Sequence, residues 1–128
     1  MDIQKARDLG HGKWLTIRGC NMEKIFRKLV RDRIPEIIEG NGEAAVTRIL
    51  DEEEYRKELY RKLLEEGQEV VSSQTSSETL EELADVYEVL RAIASLEGKN
   101  MKDVEDIANQ KKKKRGAFQK RIFLEKTK

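Results

Sequence analysis

Two groups of acidic residues near the middle of the chain have the types and spacing of a divalent-cation site. The first is Glu65-Glu66-Gly67-Gln68-Glu69 and the second, twelve intervening residues later, is Glu82-Leu83-Ala84-Asp85. Carboxylate oxygens are ligands that Mg²⁺ and Mn²⁺ prefer, and one His and one Cys offer little for zinc. We therefore predict that Mg²⁺, or Mn²⁺ in its place, binds four of these carboxylates: Glu66, Glu69, Glu82 and Asp85.

These acids coincide with the apolar stripes of two predicted helices. At 3.6 residues per turn, Glu66 falls on a stripe with Tyr55, Leu59, Leu63 and Val70 in a helix predicted from about residue 51 to 72. Glu82 falls in line with Val86, Val89, Ile93 and Leu96 in a helix predicted to start at Ser77 as N-cap. Carboxylates on a buried stripe are unfavourable unless they are paired or bind a cation. A short loop makes the helices antiparallel neighbours, so the acids would converge across one seam.

Two other interpretations of the charges stay open at this point. The acids could form a solvated helix face supported by pairs such as Glu58–Lys62 and Arg61–Glu65. The cations at the end of a third predicted helix, residues 101–115, can also be interpreted in more than one way. There Lys111 and Arg115 continue an expected inner stripe of Val104, Ile107 and Ala108 and would bind phosphate. Alternatively, they are a basic helix end favoured by the dipole, or a nucleic-acid patch.

The remaining segments predict an all-α fold, an antiparallel helix bundle, with a small β element. Residues 28–39 start extended and become a short helix that ends at Gly40-Asn41-Gly42. Residues 45–50 could form a strand that pairs with residues 121–124. With 128 residues, 38% hydrophobic and 40% charged, the chain is one domain with a thin core. We expect a second subunit to complete that core.

Residues 1–21 differ from the rest, and we expect an N-terminal extension that is disordered or non-native, followed by a domain over residues 22–128. The extension contains His11 and Cys20, for which a metal site is the alternative interpretation. A single cysteine and the lack of an apolar run near 20 residues favour a cytoplasmic protein that does not enter membranes.

Charge is unevenly distributed along a chain of formal net charge +1. Residues 51–88 contain thirteen acids and four bases, whereas residues 111–128 contain nine bases and one acid. These regions must neutralise each other or hold something between them. The acidic region argues against stable nucleic-acid binding, because it would repel the phosphate backbone.

The two acidic groups resemble the EExxE…ExxD pattern of the MazG-like all-α nucleoside triphosphate pyrophosphohydrolase superfamily. Two further segments are similar to its phosphoribosyl-ATP pyrophosphohydrolase-like branch. They are Lys28-Leu29-Val30-Arg31-Asp32-Arg33-Ile34-Pro35 and Lys113-Lys114-Arg115-Gly116-Ala117-Phe118 with Arg121-Ile122-Phe123-Leu124 after it. The likeness spans about residues 23–126. The branch's second glycine in the RGGF-like run is Ala117 here.

The resemblance implies a Mg²⁺-dependent enzyme that cleaves a nucleoside triphosphate into a monophosphate and pyrophosphate. It implies that Glu66 and Glu65 are the catalytic acids, with Glu65 an outer ligand or base. It implies phosphate contacts from Lys111, Lys114, Arg115, Lys28 and Arg31. Because members commonly form such assemblies, we expect a homodimer or homotetramer.

The resemblance leaves the biological substrate open. We favour a house-cleaning role on non-standard or surplus nucleotides. The alternatives are a phosphoribosyl-ATP pyrophosphohydrolase of histidine biosynthesis and a non-catalytic helical interaction module.

Overall fold

The computed structural model describes residues 13–17 and 21–128, with side chains from residue 24 onward. The chain divides into two compact units, Met1–Glu65 and Glu66–Lys128. Two strands come first, β1 (Lys13–Ile17) and β2 (Asn21–Ile25). Four helices follow in the described residues: α1 (Ile34–Gly40), α2 (Glu52–Ser72), α3 (Ser76–Leu96) and α4 (Met101–Arg115). The fold class is all-α, as the sequence predicts.

The helix boundaries follow local capping chemistry. At the start of α2, the carboxylate of Asp51 accepts a hydrogen bond of 2.8 Å from the backbone N–H of Glu54. At the start of α4, Asn100 and Asp103 form a reciprocal capping box. This helix ends at Gly116, which has a φ of 79°. The predicted span of 101–115 is confirmed.

The predicted N-cap of α3 is wrong by two residues. Thr75, not Ser77, is the N-cap, and its hydroxyl oxygen accepts a hydrogen bond of 3.1 Å from the N–H of Glu78. The carboxylate of Glu78 in turn accepts one of 2.9 Å from the N–H of Gln74. A threonine followed three residues later by a glutamate satisfies two otherwise unpaired donors, which a serine at position 77 cannot do without that partner.

The short helix α1 also ends as expected. Pro35 lies in its first turn, where a missing N–H costs no hydrogen bond. Asn41 follows as the C-cap, and Gly42 adopts a φ of 85°, a conformation that glycine tolerates best.

The predicted strand pair of residues 45–50 and 121–124 is wrong, because neither segment is a strand. Val46 and Ile49 are almost fully exposed, whereas Ala45 and Leu50 are half-buried. The sheet among the described residues is instead the antiparallel pair β1–β2, with Lys13 opposite Ile25 and Ile17 opposite Asn21. The predicted domain boundary after residue 21 falls within β2, and residues 1–12 and 18–20 of the expected extension lie outside the described residues.

Few of the side chains that the structure describes are buried in either unit. Ile34 and Leu59 are buried in the first unit, and Val89 and Ala94 in the second, where α3 and α4 are in contact. The other apolar residues of the two predicted stripes are half-buried: Tyr55, Leu63, Val70, Val86, Ile93 and Leu96. The predicted inward faces of α2 and α3 are therefore confirmed. Among the described residues, no helix combines the length and apolarity that a membrane span requires.

Candidate metal centre

Hydroxyl groups in the turn between α2 and α3 set the alignment of the two helices in the second unit. The Ser73 hydroxyl donates to the carbonyl of Val70 at 2.7 Å and lies 2.7 Å from the Thr79 hydroxyl. With the Ser73 hydrogen on Val70, Thr79 donates its single hydroxyl hydrogen either to Ser73 or to the carbonyl of Thr75, which is 2.9 Å away. This chain of bonds ties the last turn of α2 to the first turn of α3.

The alignment brings one acid of α2 against two acids of α3. One carboxylate oxygen each from Glu66, Glu82 and Asp85 lies within 4.8 Å of the others. Glu82 is buried, with only 5% of its surface exposed, while Glu66 and Asp85 are half-buried. We call these three residues the carboxylate cluster. Negative charges so close in a partly buried place repel one another, which favours binding of a cation.

Glu69, the fourth predicted ligand, is half-buried but is not part of the carboxylate cluster. The position of the turn explains this. Glu66 lies eight residues before Gln74 and Glu82 eight residues after it, so they are level in an antiparallel hairpin. Glu69 is level with Thr79 by the same reasoning, about one helical turn closer to the loop.

The geometry of the carboxylate cluster fits a small divalent cation. Mg²⁺ binds oxygens at about 2.0 to 2.1 Å, so two of its ligands are at most about 4.2 Å apart. The three oxygens, within 4.8 Å of one another, reach that spacing with small side-chain rotations. Three carboxylates leave coordination positions for water and phosphate, as Mg²⁺ sites on nucleotides usually do.

Glu65 has a different environment from its neighbour Glu66. Its carboxylate is 2.9 Å from the ammonium group of Lys28 and 3.7 Å from that of Lys62. All three side chains are at most 23% exposed. Successive residues on a helix point about 100° apart, so Glu65 and Glu66 face different directions. We call Lys28, Lys62 and Glu65 the lysine–glutamate cluster; it lies in the first unit.

Lys62 is the member of this cluster that was not singled out from the sequence. The spacing that reveals it is i, i+3 to Glu65, whereas the sequence analysis considered i, i+4 pairs. The same i, i+3 spacing places the guanidinium of Arg61 3.3 Å from the carboxylate of Glu58. These i, i+3 pairs involve the same four residues as the i, i+4 pairs Glu58–Lys62 and Arg61–Glu65 that the sequence offers for a solvated face.

The predicted phosphate-binding residues are in varied places. Lys28 is occupied by Glu65, and Arg31 is exposed just before α1, where its carbonyl accepts from the N–H of Ile34 at 3.0 Å. Lys111, Lys114 and Arg115 are exposed at the end of α4. The expected inner stripe of α4 is wrong for the single chain: Val104, Ile107 and Ala108 are exposed as well. One face of α4 therefore exposes apolar side chains in its first part and basic side chains toward its C-terminal end.

Comparison with known proteins adds one partial relative. A protein of Mycolicibacterium smegmatis, described as an uncharacterized protein, is 44% identical to this chain over 54 residues. The match covers 42% of this chain and 55% of that protein, so the chain spans about half the length of the curated relative it matches. No protein-family model and no solved structure matches the chain.

Proposed function

We propose that this protein is a Mg²⁺-dependent nucleoside triphosphate pyrophosphohydrolase, which releases a nucleoside monophosphate and pyrophosphate. One observation supports this most directly: oxygens of Glu66, Glu82 and Asp85 converge within 4.8 Å at a partly buried place between two helices. The resemblance of the same residues to the EExxE…ExxD pattern supports the reaction class.

In this proposal the carboxylate cluster holds the cation, and the buried Glu82 keeps it in place because its side chain is enclosed by protein. Mn²⁺ would bind the same oxygens. When bound, the cation supplies charge neutralisation of the phosphates and lowers the pKa of water. Glu69, about one turn closer to the loop on α2, would accept a hydrogen bond from a ligand water.

The chain's cations divide into two groups under this proposal. Lys111, Lys114 and Arg115 are exposed and available for triphosphate oxygens, where the planar guanidinium of Arg115 can bind two oxygens at once. Lys28 is already paired with Glu65, so it serves first to hold that carboxylate in place. Glu65 then acts as a positioned base or outer ligand rather than as a direct ligand.

The biological role that we propose is removal of non-standard or surplus nucleotides in the cytoplasm. We propose a homodimer or homotetramer as the working form, because so few of the described side chains are buried in the single chain. No feature of the described residues favours phosphoribosyl-ATP over other triphosphates, so that compound belongs in the substrate panel.

The test is an assay of the purified chain with ribo- and deoxyribonucleoside triphosphates, modified nucleotides and phosphoribosyl-ATP, each with Mg²⁺. We expect pyrophosphate and a monophosphate as products, with loss of at least about 100-fold in kcat/KM for Glu66→Ala. Orthophosphate as the product, or no turnover of any substrate, would overturn the proposal.

Glu81→Ala is the matched control. Glu81 adjoins Glu82 on α3 but is exposed and outside the carboxylate cluster. Both variants remove one negative charge, so a loss of activity in Glu66→Ala alone separates the site from the general acidity of the region. Equal losses in both variants would contradict a specific centre.

A further inference from the structure

Besides the exposed face of α4, the second unit exposes two further apolar surfaces. The first is a stripe along α3, formed by Leu80, Leu83, Tyr87 and Leu90, whose side chains are 37–67% exposed. Their spacing of three, four and three residues places them on one side of the helix. This side differs from the face that carries the buried Glu82 and Val89. We call these four residues the α3 stripe.

The second surface belongs to residues 117–128, which we call the arm. The arm makes a turn in which the N–H of Arg121 donates to the carbonyl of Phe118 at 3.1 Å, and then continues without helix or strand. Its four large apolar side chains, Phe118, Ile122, Phe123 and Leu124, are 74–96% exposed. Several exposed apolar side chains in one segment are typical of a surface that contacts another protein surface.

We propose that the arm of each molecule covers the α3 stripe of a second copy of this chain. Both surfaces lie in the same unit and both stay exposed, so the arm does not cover the stripe of its own molecule. A reciprocal exchange between two copies buries both sets at once and has the two-fold symmetry that closed dimers use. The inference does not depend on the hydrolase activity.

Charge favours this pairing over contact between two α3 helices. Helix α3 contains five acids and one base, whereas the arm contains four bases and one acid. Two α3 helices packed side by side would bring acidic surfaces together. An arm on α3 brings opposite charges together, which guides association and sets which surfaces meet.

The area available is sufficient for a stable dimer. Each large apolar side chain contributes roughly 60 to 120 Å² of apolar surface when it is covered. Eight such side chains per copy give a symmetric dimer about 1,000 to 1,900 Å² of buried apolar area. Stable specific interfaces bury about 1,200 to 2,000 Å² in total.

The first test is the oligomeric state of the full chain by analytical ultracentrifugation. We expect a dimer whose dissociation constant rises about tenfold or more in Phe123→Asp and in Leu83→Lys, as for loss of a central apolar contact. Leu64→Lys is the matched control, because Leu64 is an exposed apolar residue of α2 outside both surfaces. Helicity by circular dichroism separates loss of association from unfolding. A monomeric parent chain, or a dimer that tolerates Phe123→Asp unchanged, overturns the proposal.

The second test identifies the surfaces in contact. In a Cys20→Ser background, chains with Leu83→Cys are mixed with chains with Leu124→Cys and treated with a short bismaleimide. We expect cross-linked peptides that join position 83 of one copy to position 124 of the other. Efficient cross-linking of Leu83→Cys chains alone would show contact between two α3 helices and overturn the proposal. So would a cross-link within single chains that carry both cysteines, because the arm would then cover its own molecule.

Discussion

Two neighbouring glutamates on α2 illustrate two ways in which a protein handles a partly buried negative charge. Glu65 is held by the ammonium groups of Lys28 and Lys62 at 2.9 and 3.7 Å. Glu66 instead lies against two further carboxylates, Glu82 and Asp85. The first arrangement is stabilised by charges of the chain itself. Under the proposed function, the second would gain further stability when a cation binds, and this difference is what the following measurements test.

The largest expected effect is on the response to Mg²⁺. At a concentration ten times its Kd, Mg²⁺ should raise the Tm of the parent chain by about 4 to 8 °C. Glu82→Gln should remove this shift, because it takes away the most buried oxygen ligand. Differential scanning calorimetry with and without EDTA measures both. A full Mg²⁺ shift in Glu82→Gln would mean that the carboxylate cluster is not the binding site.

A smaller effect is expected for Glu69→Gln. Because Glu69 is about one turn closer to the loop than Glu66, its loss should weaken Mg²⁺ binding by about tenfold or less, near 1.4 kcal/mol. Isothermal titration with Mg²⁺ measures this directly against Glu66→Gln. Should Glu69→Gln abolish binding completely, Glu69 is a direct ligand, as the sequence predicts, and its side chain must move toward the other three.

Lys28→Met tests the opposite arrangement. Removing the ammonium group of Lys28 leaves the partly buried carboxylate of Glu65 with one fewer cation. The free energy of unfolding should therefore fall by about 1 to 3 kcal/mol. Urea denaturation measures the change. The loss should be the same with and without Mg²⁺, and should be largely restored by adding Glu65→Gln. A loss that appears only in the presence of Mg²⁺ would instead tie Lys28 to ligand binding.

Thr79→Val tests whether the turn sets the spacing of the carboxylate cluster. It removes the hydroxyl that lies 2.7 Å from the Ser73 hydroxyl and 2.9 Å from the carbonyl of Thr75. We expect a loss of about 1 kcal/mol in stability and a weaker Mg²⁺ affinity. The effect of Lys28→Met should be the same in the Thr79→Val background. Unchanged Mg²⁺ affinity would show that helix packing alone aligns the acids.

The smallest effect is expected from an exposed pair before α2. The Arg48 guanidinium donates hydrogen bonds of 2.8 and 3.3 Å to the Glu54 carboxylate, which lowers the pKa of Glu54 and raises that of Arg48. A carboxyl pKa that is lower in the folded state adds stability above the ordinary value of 4.5, and this is lost as pH falls through the lowered value. Between neutral and acidic pH, the free energy of unfolding of Arg48→Gln should therefore decrease slightly less than that of the parent chain. Thermal melts at several pH values measure this difference. A steeper loss in the variant would contradict this sign.

Features determined by neighbours in sequence were predictable from the sequence alone. The end of α2 at Ser72, the full span of α4 and the inward faces of α2 and α3 depend on periodicity and caps within a few residues. Even the misplaced start of α3 had a local signal in Thr75 and Glu78. The alignment of acids with apolar stripes indicated a buried carboxylate, and Glu82 is buried.

Tertiary structure decided which distant groups meet. Neither the pairing of β1 with β2 nor the exposure of Val46, Ile49 and residues 121–124 follows from alternation, because alternation does not specify a partner strand. Lys28 meets Glu65 across 37 positions of sequence, a contact that no local spacing encodes. The turn geometry, through Ser73 and Thr79, selects Glu66 rather than Glu69 to face the acids of α3. Composition and period settle which side chains turn inward, but the contacts between them depend on how the backbone folds back on itself.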